Sequence, residues 1–428
     1  MQSKRNYHAL AWFICGLGAI YYSYEYLLRI SPSVMEPALR EHFHLTASTF
    51  GLLSAFYYYA YLPMQLPVGI LLDRYGPHRL LTFACLLCVV GTFIFAGTTL
   101  FWVAAIGRFM VGFGSAFAFV GVLKLATIWL PEDKLAMVSG LASALGTVGA
   151  MLGDNLLGLM VIHVGWKTTV YLTAYVGIAL LLLLWFGLRD RPMQNSEGGT
   201  ITTFKKSMFD LTLIVGDKQI WINGLFGCLV YLPTTVFAEL WGIPYLQTAH
   251  GLTQTGADFA NSLLFLGFTL GAPTMGYLSD TLKRRKPPMF AGAVGALLCM
   301  SIILYYPNLN QTAINILMFI LGACYSAQCI VFAVGRELSP NEAAGTAMAM
   351  TNMLVMLGAM LVQPLIGGLL DWRLASRLGK VEQLSSDTLT RFYSAGDYQF
   401  ALTIIPIGIL IAVILTFFLK ETYAYAKD

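Results

Sequence analysis

Glu25 and Arg29 stand four residues apart inside an apolar run that begins near Ala9. On a helix that spacing places both side chains on one face. At the centre of a membrane helix each charge costs roughly 2.5–3.5 kcal/mol on insertion scales, so the pair needs a purpose. Arg108 lies in another apolar run, and at 1.5 Å per residue Arg29 and Arg108 both fall about 8–10 Å outward of the middle of their spans. Glu25 lies one turn deeper, close to the midplane. Three chemistries fit these three residues. They can form a structural ion pair, although desolvation largely offsets the attraction of buried charges. Two arginines can offer planar donor forks to a substrate carboxylate or phosphate. Glu25 can also switch between a protonated state and a pairing with arginine, so that protonation frees the guanidinium for substrate and links the two binding events.

Other polar residues in apolar runs extend the list. Asp154 and Glu239 stand alone in their spans and are secondary proton-site candidates, with Glu239 near enough to the outer interface for a solvated role to compete. Tyr57, Tyr61, Gln65, Tyr231, Gln328 and Asn352 are candidates to line a polar cavity, against the plain alternative that membrane tyrosines pack or sit at interfaces. Lys124 lies about 13 Å toward the opposite side, where snorkelling to interfacial water competes with a binding role.

The elements that must position these groups are membrane spans. The chain of 428 residues is 57% hydrophobic and 11% charged, against about 25% charged in soluble domains. Stretches able to cross about 30 Å of hydrocarbon occur near 10–36, 47–72, 79–98, 101–129, 136–163, 167–188, 219–247, 255–280, 288–306, 310–335, 342–371 and 399–420. The expected fold class is therefore all-α integral membrane with twelve spans. The polar stretch 189–218 divides them into halves at 1–188 and 219–428, with a short amphipathic helix expected around Phe204–Val215. The N-terminal "MQSKRNYHAL" reads as the lead of an uncleaved first span, because no small-residue cleavage site follows it. Most of the 26 lysines and arginines fall on the side holding both termini, which the positive-inside rule assigns to the cytoplasm.

The seven cysteines all lie in apolar segments, so a disulfide framework is not expected, and Cys85-x-x-Cys88 reads as small packing residues. There is no H-E-x-x-H, G-x-S-x-G or Walker-type loop, and His42-x-His44 lacks further ligands. No enzyme, metal or cofactor is expected, and with no nucleotide-binding motif in this chain any uphill movement of a solute draws on an ion gradient or on a partner ATPase. The net charge of +4 is spread over short loops and indicates no nucleic-acid partner.

An internal repeat is visible. "GILLDRYGPHR" carries Gly69 and Asp73 followed by Arg74 and Arg79. "GYLSDTLKRRK", 207 residues on, carries Gly276 and Asp280 followed by Lys283, Arg284 and Arg285. Two six-span halves repeated in parallel are a known transporter architecture.

The first of these motifs, Gly69-x-Leu71-x-Asp73-Arg74-x-Gly76-x-x-Arg79, closely resembles the signature of the major facilitator superfamily, and the resemblance extends over essentially the whole chain. It implies a latch at the cytoplasmic face in the outward-open state, formed by Gly69, Asp73, Arg74 and Arg79 and echoed by Gly276, Asp280 and Arg284. Arg108-Phe-Met-Val-Gly112-Phe-Gly114 resembles a second family motif, and Gly146, Gly149 and Gly153 are spaced like the glycines of antiporter branches, where close helix packing is the plainer reading. Tyr26-x-x-Arg29-x-x-x-Ser33, "AFYYYAYLPMQLPVG" and "KLATIWLPEDK" partially resemble the anion:cation symporter branch, in which the first-helix arginine binds the anionic group of the substrate. Leu28 and Ser115 stand where that branch often has acids.

Together these features imply proton-coupled uptake of a small anionic or zwitterionic metabolite by alternating access. The expected setting is a bacterial-type inner membrane, and the expected state is monomeric. The rivals are an exporter or antiporter of a drug-like compound or polycarboxylate siderophore, and a transport-fold sensor.

Overall fold

The computed structural model describes residues 2–131, 134–189, 214–340, 343–378 and 393–422. Most of the expected 189–218 connector, with the surface helix expected at Phe204–Val215, falls outside them. So does much of the loop between the last two spans.

The described residues form helices. In the first half of the chain these are α1 Gln2–Val34, α2 Glu36–Phe43, α3 Ala47–Met64, α4 Pro67–Tyr75, α5 Pro77–Gly97, α6 Phe101–Ser115, α7 Ala118–Trp129 and α8 Leu135–Leu152. A π-helical turn, Gly153–Leu157, then leads into α9 Gly158–Val164 and α10 Trp166–Gly187. In the second half, α11 Lys218–Val230 runs through a π-helical segment, Pro233–Trp241, into α12 Gly242–His250. These are followed by α13 Gln254–Leu282, α14 Lys286–Tyr305, α15 Gln311–Tyr325, a 3₁₀ turn Ser326–Cys329, α16 Ile330–Leu338, α17 Ala344–Leu378, α18 Ala395–Leu402 and α19 Ile404–Phe418.

Among the described residues, nine helical segments are long and apolar enough to cross a membrane. The sequence reading counts three more polar ones as well: α1, α3 with α4, and α13. Large apolar side chains such as Phe186, Phe417, Leu298 and Leu183 stand exposed on the outside, as lipid contact requires.

Helix starts follow local chemistry. Thr46, Asp217, Thr253, Asn310 and Ser394 each accept a backbone N–H of the helix that follows, which satisfies one orphan donor. Several spans are irregular at a polar residue. The break between α3 and α4 falls at Gln65, ahead of Pro67, whose missing N–H cannot continue the ladder. Asp154 lies in the first π turn, Glu239 in the π segment and Gln328 in the 3₁₀ turn. Such irregular turns are frequent at functional sites.

Glycines bring the helices of the site together. A Cβ on Gly112 of α6 would lie 1.9 Å from the carbonyl oxygen of Tyr57 in α3, and one on Gly149 of α8 would lie 2.0 Å from that of Ser23 in α1. Gly146 and Gly153 meet Tyr22 and Ile30 in the same way. The span-5 glycines are therefore the packing surface of α8 against α1, the small-residue contact by which membrane helices associate closely.

Candidate functional site

Five tyrosines and three charges meet between the two parts of the chain. Arg29 is 3% exposed and Glu25 and Glu239 are at most 1% exposed, so all three are out of water. Arg29 Nη2 donates to Glu25 Oε1 at 2.9 Å, and Arg29 Nε donates to the Tyr57 hydroxyl at 3.0 Å. The Tyr57 hydroxyl in turn donates to Glu25 Oε2 at 2.8 Å, closing a ring of three side chains. On the other side of the guanidinium, Nη1 lies 4.0 Å from Glu239 Oε1. Glu239 Oε2 accepts from the Tyr58 hydroxyl. Neighbouring tyrosines of α3 thus hold one carboxylate each, from opposite parts of the chain.

Tyr26, Tyr57 and Tyr61 stack around the Arg29 guanidinium with centroids 4.4, 5.5 and 5.2 Å away, an arrangement that favours a desolvated cation. Tyr26 Oη and Tyr231 Oη lie 3.3 Å apart across the seam. The sequence-selected residues Glu25, Tyr26, Arg29, Tyr57, Tyr61, Tyr231 and Glu239 are therefore one cluster, and the outer position expected for Glu239 is a buried one.

Arg108 is placed differently. Its Nη1 donates to the Leu28 carbonyl at 2.9 Å and its Nη2 to the Arg29 carbonyl at 3.3 Å. Pro32 is the reason, because it has no N–H to return to Leu28 four residues earlier. Arg108 fills that gap from behind α1, helped by Ser31 Oγ at 3.0 Å. It meets the cluster through the Tyr57 ring, 5.3 Å from its guanidinium.

Gln65 and Asn352 form a separate cross-seam contact, Nδ2 donating to Oε1 at 2.8 Å. Gln328 lies in the turn that follows Tyr325, whose ring packs 5.9 Å from that of Tyr231. Lys124 is half-buried on α7. Asp154 is fully buried, and its Oδ2 accepts from Asn261 Nδ2 at 2.9 Å. Tyr58, Asn261 and Asp258 were not legible as site residues. Tyr58 is hidden within a run of aromatics, and one helix face cannot show that residues 57 and 58 serve partners on different helices.

The helices across the seam are in close contact at one end. At the end bearing Thr46, both Asp371 carboxylate oxygens accept from the start of α3, from Ala47 N at 3.1 Å and Ser48 N at 2.8 Å. A Cβ on Gly367 of α17 would lie 2.2 Å from the Ala47 carbonyl oxygen. Tyr393 donates to Asp371 Oδ1 at 2.5 Å, and buried Arg40 pairs with Glu36 at 2.8 Å and reaches Tyr393. At the opposite end, a Cβ on Gly69 of α4, Gly140 of α8, Gly276 of α13 or Gly345 of α17 would meet only open space.

The repeated basic motifs lie at this open end. Arg74 and Arg79 are exposed there, and the Asp73 side chain is outside the described set. In the second copy it is Arg285 that binds Asp280, at 2.7 Å, and Glu337, at 2.7 Å. The sequence reading singled out its neighbour Arg284.

A family profile described as the Major Facilitator Superfamily matches residues 14–363. The chain is 24% identical over 314 residues to the protein named "Probable sulfoacetate transporter SauU" from Cupriavidus necator, covering 67% of this chain and 70% of the relative. It is 25% identical over 365 residues to the membrane sensor protein UhpC of Salmonella typhimurium, covering 79% and 81%. Among solved structures, a bacterial homolog of the human lysosomal transporter Spinster, in an inward-facing and unoccupied conformation, superposes with a TM-score of 0.79 at 16% identity over 96% of both chains.

Proposed function

The chain belongs to the Major Facilitator Superfamily, is a multi-pass membrane transporter rather than an enzyme, and on that premise we propose that it takes up a small anionic or zwitterionic metabolite together with protons. The observation that carries this reading is the place of Arg29, held between Glu25 and Glu239 where the two parts of the chain meet. One guanidinium faces two carboxylates in a site closed to water. Protonating either carboxyl releases N–H donors that a substrate carboxylate can take up, and a substrate amine can replace the lost proton at the other carboxyl. Proton and substrate binding are then favourable together. The relative named for sulfoacetate, itself a small organic anion, agrees with the anionic half of this class.

In this proposal the halves 1–188 and 219–428 rock about the cluster. The end closed by Asp371 is the outer gate and the end with open glycines faces the cytoplasm, together with both termini. Glu25 and Glu239 carry the coupling proton. Tyr26, Tyr57, Tyr61 and Tyr231 wall the site, while Gln65, Asn352 and Gln328 extend it inward. Arg108 is a positioning residue that holds the backbone of α1. Gly69, Asp73, Arg74 and Arg79, with Gly276, Asp280 and Arg284, form the cytoplasmic latch. The setting is a bacterial inner membrane.

The kinship with a membrane sensor supports a second reading, binding without turnover. Counterflow in proteoliposomes with a panel of organic acids, amino acids, dipeptides and phosphate esters separates the two. Exchange of an anionic or zwitterionic compound that accumulates under an imposed pH gradient is expected. Binding detected by thermal shift with no exchange would establish the sensor reading instead.

A further inference from the structure

Away from the arginine cluster, the closed seam buries a second pair of acids. Asp154 and Asp258 are 0% and 1% exposed and belong to opposite parts of the chain. Asp154 Oδ2 accepts from Asn261 Nδ2, which also donates to the Ala238 carbonyl at 2.9 Å. Asp258 Oδ1 accepts from Gln254 Nε2 at 2.8 Å. Beyond these bonds, Asp154 Oδ1, Asp258 Oδ2 and Asn261 Oδ1 are buried acceptors with no donor. Asn261 has turned its N–H groups to two acceptors, so its orphan oxygen is not removed by flipping the amide.

Among the described residues, no basic side chain pairs with Asp154 or Asp258. Asp258 lies one turn before Asn261, which is bonded to Asp154, and its Oδ2 lies against Gly158, one turn after Asp154. Along α1, Leu27 and Ile30 meet Gly153, and Glu25 is taken by Arg29. From the π segment comes the Ala238 carbonyl, with Glu239 turned to Tyr58. His163 of α9 is exposed, and His250 of α12 is bonded to the Ile303 carbonyl. α8 carries no ionisable side chain, and Asp280, at the far end of α13, pairs with Arg285. Two neighbouring carboxylates out of water cannot both stay ionised. There is little room for a cation, because a Cβ on Gly158 would lie 2.1 Å from Asp258 Oδ2.

We propose that Asp154 and Asp258 form a proton-binding site shared across the outer seam. Closing that end takes up at least one proton from the outer water onto a carboxylate oxygen, and opening it returns the proton to the same side. The site is separate from the arginine cluster and rests on the readings that the protein alternates between two faces and that the Thr46 end is the outer one. It makes external acid a signal that drives the carrier inward, whatever substrate is bound.

Hydrogen exchange of the full-length protein in lipid nanodiscs, without substrate, tests this over residues 153–164 and 254–262 between pH 5.5 and 8. After correction for intrinsic exchange, the closed-to-open ratio should rise as pH falls by up to about tenfold per pH unit for each proton taken up. Asp258→Asn or Asp154→Asn should reduce that slope, and the double variant should stay protected at pH 8. A double variant with the wild-type slope would overturn the proposal. So would a wild-type seam that closes at pH 8 in sodium chloride but not in choline chloride, which would assign the site to a metal cation. Arg29→Lys should keep the pH response. If that variant also transports normally, the reading of the arginine cluster fails while the gate stands.

Discussion

At the Thr46 end of the molecule, α3 and α17 touch backbone to backbone, with the Asp371 carboxylate seated on the first free N–H groups of α3. At the other end, Gly69 and Gly345 of the same two spans look into open space. A helix start carries partial positive charge and unpaired donors, so a carboxylate there forms charge-assisted hydrogen bonds. α4 carries Asp73 in its last turn, and in the proposed function this acid closes the open end in the opposite conformation. The two spans thus carry a carboxylate at each end. The closed end shows how such a latch works: an acid at the C-terminal end of one span caps the N-terminus of its partner, and a glycine lets the backbones approach. Tyr393, Arg40 and Glu36 steady the acid from the loop side.

The largest effect is expected at the pivot between the two ends. Arg29→Lys keeps the charge but removes the fork that serves Glu25 and Tyr57 together. Substrate affinity in a thermal-shift titration should fall by about a hundredfold, roughly 2.7 kcal/mol. A change within about threefold would remove Arg29 from the substrate contacts.

Glu25→Gln keeps the size of the protonated acid and abolishes its titration. Counterflow should persist, because exchange of loaded carriers moves no net proton, while accumulation driven by a pH gradient should fall to the equilibration level. A parallel decline of both, with a lower melting temperature, would mark the pair as structural, since a lone buried arginine destabilises.

Asp371→Asn and Asp73→Asn sharpen the comparison between ends. The first should shift the conformational equilibrium by about tenfold, ~1.4 kcal/mol, toward opening of the Thr46 end. The second should shift it in the other direction and slow net transport, with the fold intact. Distance distributions between spin labels at each end report both signs. Shifts of the same sign would show that the two acids are not counterparts.

The smallest effect is expected at Asn352→Ala, which removes a half-buried hydrogen bond to Gln65. About 1 kcal/mol, or fivefold, should be lost from whichever state holds that contact. The same spin-label distances measure it.

Part of the site was legible because intramembrane charge is costly. Glu25, Arg29, Arg108, Asp154 and Glu239 stand out in apolar runs, and helical spacing alone pairs Glu25 with Arg29. Tyr58, Asp258 and Asn261 were not legible. Tyr58 is one tyrosine among several, and the other two sit near a span end, where polar residues are ordinary. The assignment of Arg108 to α1 was likewise out of reach, although Pro32 announced that a carbonyl near Leu28 would need a donor.

By itself, then, the sequence determined the helical membrane class, the repeat and the charges that needed an explanation, because insertion cost and repeat spacing act along the chain. The partners of those charges were decided only in three dimensions. Glycine contacts between distant helices set which carbonyl Arg108 fills, which carboxylate each tyrosine holds and which end of the seam is shut. Those choices depend on helix separations of a few ångströms that no spacing along one chain encodes.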